Sequence, residues 1–327
     1  MSQKVVIAVL ALMLVGGLAW FVNRTYFQPP TPGQSQQIPQ NSSSGGAIPK
    51  AKVLYVIKQN AREIWQVSPG ETPKKIFTDA DEREKLIKIS NQAVLTNEVL
   101  AITSLDEKPF SGKLVAIDLA TAKESLLKDS FSIPESWAIT SDGKTLAFTR
   151  FSNTEENYGY TLYSEDRTSS NLREISQSEA EIKSPAWNES GEKIAFIRIS
   201  GETSEVVFTD IATLDTKVIK KFDKTIVDYL SWTGDNLILS FREIGKNAQG
   251  TIGKMSVSGG DFQKITTFDG GIANYVFSFN DYLSFLVGQY SGKLDDQTIG
   301  QIYLFDTLKN QKIPLQKGVQ ILGGQGI

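Results

Sequence analysis

The sequence of 327 residues contains no histidine and no cysteine. Without cysteine there is no disulfide, no thiolate nucleophile and no sulfur to carry a lipid anchor. Without histidine there is no Ser-His-Asp triad, no Cys-His pair and no imidazole zinc site. A catalyst on this chain would have to work with carboxylates, Lys, Tyr or Ser alone. Stability has to come from a packed core, since no covalent staple exists. A basic surplus is also lacking. The 34 Lys and Arg face 37 Asp and Glu, for a formal net charge of −3. That balance offers little to neutralise phosphates, so no nucleic-acid partner is expected. There is no GxGxxG opening a helix, no P-loop, no HExxH, no CxxC and no GxSxG. No cofactor, no metal site and no catalytic residue is therefore predicted.

What is present begins with one long apolar run. Val5 to Val22 reads "VVIAVLALMLVGGLAWFV", 18 residues without a charge. At 1.5 Å per residue this length approaches the thickness of a bilayer core. Lys4 and the terminal amine precede it, which places the amino end (residues 1–4) in the cytoplasm. Trp20, Tyr26 and Phe27 suit the membrane interface. The pattern predicts a retained transmembrane signal anchor over 5–22. Cleavage at the small residues Gly17 and Ala19 is the competing reading. Residues 23–51 include "QPPTPGQSQQIPQNSSSGGAIPK", rich in Pro, Gln, Ser and Gly and without apolar period. This is the composition of a disordered tether, with an end-to-end distance of about 25–30 Å.

Residues 52–327 are repetitive. The stretch "SPAWNESGEKIAFIRISGETSEVVFTDIATLDTKVIKKF" from Ser184 to Phe222 contains four strand-like segments separated by turns. "IAFI" and "VVF" do not alternate apolar with polar, as expected of strands buried on both faces. The last segment carries Lys217, Lys220 and Lys221 and reads as an exposed edge. The same layout recurs from Ala93 to Leu127, Trp137 to Asp166, Leu230 to Phe268 and Tyr275 to Leu315. Asp118, Asp210 and Asp306 hold one place after the third segment, 92 and 96 residues apart. Val53 to Thr78 supplies only the second, third and fourth segments of a sixth unit. The leftover "GVQILGGQGI" from Gly318 is predicted to supply its first strand and close a ring. The expected fold is all-β: a six-bladed β-propeller of four-stranded antiparallel blades, preceded by one transmembrane helix and a disordered linker. The alternative is an open β-sandwich or a pair of β domains, and the registered repeat argues against it.

The segment "SPAWNESGEKIAFIR" resembles the TolB-type propeller repeat, in which Ser-Pro-x-Trp-Ser-Pro-Asp-Gly-Lys-x-Ile-Ala-Phe opens each blade. Ser184, Pro185, Trp187, Gly191, Lys193, Ile194, Ala195 and Phe196 match it. Asp142, Gly143, Lys144, Leu146, Ala147 and Phe148 match in part, and the other repeats match weakly. The resemblance implies a fold and not an activity, because such blades serve many unrelated proteins.

In a propeller the second-to-third-strand loops and the links between blades share one face. Here those loops are the long, varied ones: "SLDEKPFSGK", "FSNTEENYGYT", "EIGKNAQGT" and "GQYSGKLDDQT", and the link "DADEREKLIKISNQ" is also long. Recognition usually sits on such loops, and Phe110, Tyr158, Tyr160 and Tyr290 are the candidate binding residues on them. The bland reading is that these rings pack on their own loops. Trp137, Trp187 and Trp232 fall near first strands and read as core. The acidic stretches "DADERE" (Asp79–Glu84) and "LDDQ" (Leu294–Gln297) lack the spacing of a calcium loop and read as solvated loops. The expected function is a non-enzymatic binding or scaffolding module outside the cytoplasm, held to the membrane by its amino-terminal helix. Its expected partner is a protein, a peptide or a cell-wall glycan. The alternatives are a propeller enzyme acting on a sugar or lactone through carboxylates, and a structural spacer. Nothing in the sequence specifies an oligomeric state.

Overall fold

A computed structural model describes residues 54–57, 62–68, 71–79, 84–89, 98–105, 111–132, 134–154, 158–167, 171–245, 249–269, 271–279, 281–288, 300–318 and 320–322. The predicted anchor at 5–22 and tether at 23–51 lie outside these residues. No helix among the described residues is long and apolar enough to cross a membrane.

The described residues form strands in groups of four. The first group is β1 (Leu54–Ile57), β2 (Glu63–Val67) and β3 (Lys74–Thr78), which await a fourth member. The second is β4 (Glu84–Ile89), β5 (Glu98–Leu105), β6 (Ser111–Asp118) and β7 (Lys123–Ser132). The third is β8 (Trp137–Ile139), β9 (Thr145–Asn153), β10 (Tyr158–Asp166) and β11 (Leu172–Ser178). The fourth is β12 (Glu181–Trp187), β13 (Lys193–Ser200), β14 (Thr203–Asp210) and β15 (Thr216–Asp223). The fifth is β16 (Thr225–Thr233), β17 (Asn236–Glu243), β18 (Gln249–Ser256) and β19 (Gln263–Asp269). The sixth is β20 (Ile272–Phe279), β21 (Tyr282–Gly288), β22 (Gly300–Asp306) and β23 (Gln311–Gly318). A last short strand, β24 (Gln320–Leu322), pairs antiparallel with β1 and completes the first sheet in the order β24-β1-β2-β3. Each sheet is one blade, and the carboxyl-terminal strand closes the ring as the sequence predicts.

Six hydrophobic cores show why the ring is closed. Ile57, Ile64 and Phe77 of blade 1 pack with Val99, Val115 and Ile117 of blade 2. Equivalent cores join blades 2 and 3, 3 and 4, 4 and 5, and 5 and 6. The last core returns from Phe277, Leu286 and Ile302 of blade 6 to Val56, Val67 and Ile321 of blade 1. The missing apolar alternation in "IAFI" follows directly. Ile194 and Phe196 face blade 3, whereas Ala195 and Ile197 face blade 5, and all four are fully buried. The outer strand β15 is mostly exposed, with Lys217 and Lys221 open to solvent.

The recurrent aspartates are turn caps. The Asp118 carboxylate accepts the backbone N–H groups of Ala120 and Thr121 at 2.8 Å each. Asp210 does the same for Ala212 and Thr213, and Asp306 for Leu308 and Lys309. Four residues after each aspartate stands a left-handed residue: Ala122 (φ 56°), Leu214 (φ 61°) and Asn310 (φ 53°). The hydrogen bond from the Thr121 N–H, opposed by desolvation and helped by the Ala120 N–H, holds the Asp118 carboxyl below its ordinary value. These turns lie on the face opposite the long loops.

Two expectations need correction. The segment "EKLIKI" reads as part of a long link, but Glu84–Ile89 is β4, the first strand of blade 2, paired with β5 from Glu84↔Leu105 to Ile89↔Ala101. Backbone pairing decides this, and the charges in the segment hide it. "PAWN" reads as a short first strand of its unit, but its Pro185–Trp187 are only the end of β12, which begins at Glu181 and contains a bulge between Lys183 and Ala186. First strands β16 and β20 bulge similarly, at Val227/Tyr229 and Asn274/Phe277. Ser184 (φ 49°) and Tyr275 (φ 52°) adopt left-handed backbone at these bulges.

Candidate partner-binding face

Of the four aromatics singled out by the sequence, Phe110 and Tyr290 lie outside the described residues. Tyr158 and Tyr160 lie on β10 and not on a loop. The β9–β10 ladder continues to Tyr158↔Asn153, which leaves only residues 154–157 between the strands. The same pairing puts Tyr160 opposite Phe151, a residue the sequence reading passes over. The three rings form a cluster. Phe151 and Tyr160 have centroids 4.9 Å apart at 47°, and Phe151 and Tyr158 are 5.7 Å apart at 82°. Tyr158 is 59% exposed and Phe151 42%. So the rings pack on one another, across the β9–β10 hairpin, and still leave apolar surface open to water.

Gly159 makes this arrangement possible. Its φ is 132°, and a Cβ there would meet the Ser178 carbonyl oxygen at 2.5 Å and the Glu179 Cα at 3.1 Å. The link from blade 3 to blade 4 therefore runs directly against the backbone between the two tyrosines. Glycine is the residue that tolerates both the dihedral and the contact.

Two acidic residues stand near the rings along the backbone. The backbone N–H of Glu135 donates to the Thr149 carbonyl at 3.1 Å, two residues before Phe151 on β9. Glu181 opens β12, three residues after Ser178, which pairs with Tyr160. Their presence is felt at the Tyr160 hydroxyl, which is pushed above its ordinary value by burial first and then by Glu181 and Glu135. The first strands beneath are stitched together. Ser136 Oγ accepts the Ser184 N–H at 3.2 Å across blades 3 and 4 and lies 2.9 Å from Thr149 Oγ1.

Charge continues toward blade 5. Asp228, at the β16 bulge, is buried and accepts Arg242 Nε at 3.3 and 3.2 Å. Burial raises its carboxyl above the ordinary range; Arg242 and Lys183 pull it back without cancelling the rise, and Glu181 adds to it. In the next blade the Tyr275 ring lies 5.7 Å from Tyr229, and burial pushes its hydroxyl up to about 12. Trp137 and Trp187 are buried core residues, and Trp232 packs at the edge of the core between blades 4 and 5. Among the described residues no three Asp or Glu converge on a point where one cation would fit. Asp79 is buried, and residues 294–297 lie outside the described residues.

No protein-family model matches the sequence, and no curated protein matches it. Solved structures do match in fold. TolB from Acinetobacter baumannii aligns with a TM-score of 0.60 at 16% identity, over 84% of this chain and 66% of that one. The fold is that of a TolB-like six-bladed propeller. The putative TolB from Agrobacterium tumefaciens gives a TM-score of 0.57 at 14% identity, over 86% of this chain and 92% of that one. A chain of the nidogen/laminin complex gives 0.58 at 8% identity, over 83% and 97%. The TolB-like chain here thus spans 66% of the length of the A. baumannii protein. Identities this low establish a shared fold and carry no residue roles across.

Proposed function

We propose that this TolB-like propeller is a non-enzymatic binding module that presents its long-loop face to a protein partner. The observation that carries the reading is the exposed Phe151–Tyr158–Tyr160 cluster. Its rings stand on paired strands and not on free loops, so little ordering entropy is lost when a partner covers them. Aromatic side chains fixed in this way are the usual anchors of protein interfaces. The apolar run at 5–22 and Lys4 support a single-pass anchor with the amino end in the cytoplasm and the propeller outside it. The Pro- and Gly-rich tether would then let the face reach its partner clear of the bilayer.

Site-specific photo-crosslinking in living cells tests this. A benzophenone side chain replacing Tyr158 is expected to capture one or a few defined proteins. The same group at Leu308, 77% exposed on a turn of the opposite face, is expected to capture none of them. Equal capture at both positions, or none at Tyr158, overturns the assignment of this face.

A further inference from the structure

We infer that Arg150, near the long-loop end of the seam between blades 2 and 3, receives a carboxylate from the bound partner, so that the segment covering blade 3 carries an Asp or Glu side chain. The inference adds a partner chemistry to the binding role proposed above and rests on that role for the source of the carboxylate.

Two neighbouring repeats differ in one respect that carries the inference. Arg150 and Arg198 hold the same place in "LAFTR" and "IAFIR", four residues after Leu146 and Ile194. In blade 4 the residue directly across from Arg198 on the third strand is Glu205. Its Oε2 accepts Arg198 Nε at 2.9 Å and Nη2 at 2.6 Å. In blade 3 the residue across from Arg150 is Thr161. The arginine is kept and its carboxylate is missing. Among the described residues Arg150 forms no ion pair and no hydrogen bond, and its Nε is buried without an acceptor. Glu165, further along the same side of β10, is taken by Lys128 of blade 2.

The guanidinium is also held in place. Its Cζ lies 4.8 Å from the Phe148 ring centroid and 5.9 Å from that of Tyr163. Phe148 packs with Leu100, Ile102 and Phe131 of blade 2, so the stack stands on a buried seam. The rings satisfy the flat face of the guanidinium and leave its N–H edge open. That edge is where a carboxylate docks with two charge-assisted bonds. An arginine cannot shed its charge, and a buried donor without an acceptor is unfavourable. A carboxylate removes both penalties, as Glu205 does one blade away. A single guanidinium suits one carboxylate, whereas a nucleic acid would need several cations. Arg150 directly precedes Phe151, and successive side chains of a strand point to opposite faces. Arg150 therefore faces blade 2, while Phe151 meets Tyr160, which packs toward blade 4. One segment lying across the hairpin covers both.

The test uses the full chain in micelles of a neutral detergent and two end-blocked peptides, Leu-Ser-Glu-Ser-Leu and Leu-Ser-Gln-Ser-Leu, which differ by one carboxylate. With [15N]-arginine in the protein, the Nε–H resonance of Arg150 is identified by its loss in Arg150→Lys. The Glu peptide is expected to shift that resonance saturably, and the resonance of Arg173, exposed on β11, to show no saturable shift. Anisotropy of the same peptides carrying an uncharged dye is expected to show the Glu peptide binding about tenfold tighter than the Gln peptide. Arg150→Lys keeps the charge and loses the fork, and should weaken the Glu peptide about fivefold. Thr161→Glu places a carboxylate where Glu205 stands in blade 4 and should abolish the preference for Glu. Arg173→Gln should change nothing. Both Arg variants are expected to keep the wild-type melting temperature. Equal affinity for the two peptides overturns the inference. So does an Arg150 resonance that millimolar Glu peptide leaves in place, or an equal loss in Arg173→Gln. Capture of a protein at Tyr158 together with a stationary Arg150 resonance sinks the carboxylate reading and leaves the binding role standing.

Discussion

Ile321 lies directly opposite Val56 in the pairing of β24 with β1, and neither side chain is exposed to solvent. Through them the three-residue carboxyl-terminal strand reaches the core shared by blades 6 and 1, where Leu286 and Ile302 also pack. A contact between positions so distant in sequence pays its loop-closure entropy only once, because the five other inter-blade cores hold the two ends near each other.

Ile321→Ala is accordingly expected to destabilise the protein by about 2–4 kcal/mol. Chemical denaturation followed by tryptophan fluorescence measures it. A loss under about 0.5 kcal/mol, the size of an ordinary surface substitution, would mean that β24 is not needed to hold the ring shut.

Gly159→Ala is expected to cost about 1–3 kcal/mol, since the added Cβ meets backbone on the blade link and the dihedral is one that alanine avoids. It should also disturb Tyr158 and Tyr160 on either side. Incorporating 3-fluorotyrosine and following its fluorine resonances tests both parts. Unshifted tyrosine signals with unchanged stability would show that the strand and the link can move apart freely.

Asp228 imposes a pH dependence whose sign is set by its raised carboxyl. The folded state holds the proton more tightly than the unfolded chain, whose Asp titrates near about 3.9. The stabilisation is therefore complete below that value and is lost as pH rises through the higher folded value. Asp228→Asn removes this loss. The stability difference, variant minus wild type, should increase from pH 4 toward pH 7 in urea titrations. A flat difference would place the carboxylate in a better-solvated setting than its 3% side-chain exposure indicates.

Blade number, the four-strand unit and the closing role of the tail were legible from the repeat itself. A blade that buries both faces has to carry unbroken apolar runs, and "IAFI" and "VVF" carry them. The outer edge has to be soluble, and Lys217 and Lys221 mark it. Glycine at Gly143 and Gly191 (φ 72° each) announces the tight turns. Strand β4 was not legible, because "EKLIKI" is charged and its strand identity comes from its partner β5. Tyr158 and Tyr160 could be picked out as aromatics near a variable loop. Nothing local distinguished Phe151, which lies within β9 two residues before its end.

The sequence by itself determined the local grammar of this protein: which segments extend, where they turn and which edges face water. These depend on side-chain chemistry within a few residues. The tertiary structure alone decided which distant groups share a surface. Phe151 meets Tyr160 because a hairpin register aligns them, and the Ser184 N–H reaches Ser136 Oγ because neighbouring blades are wedged together by buried cores. Composition cannot encode that convergence, since it is a property of how the whole ring packs.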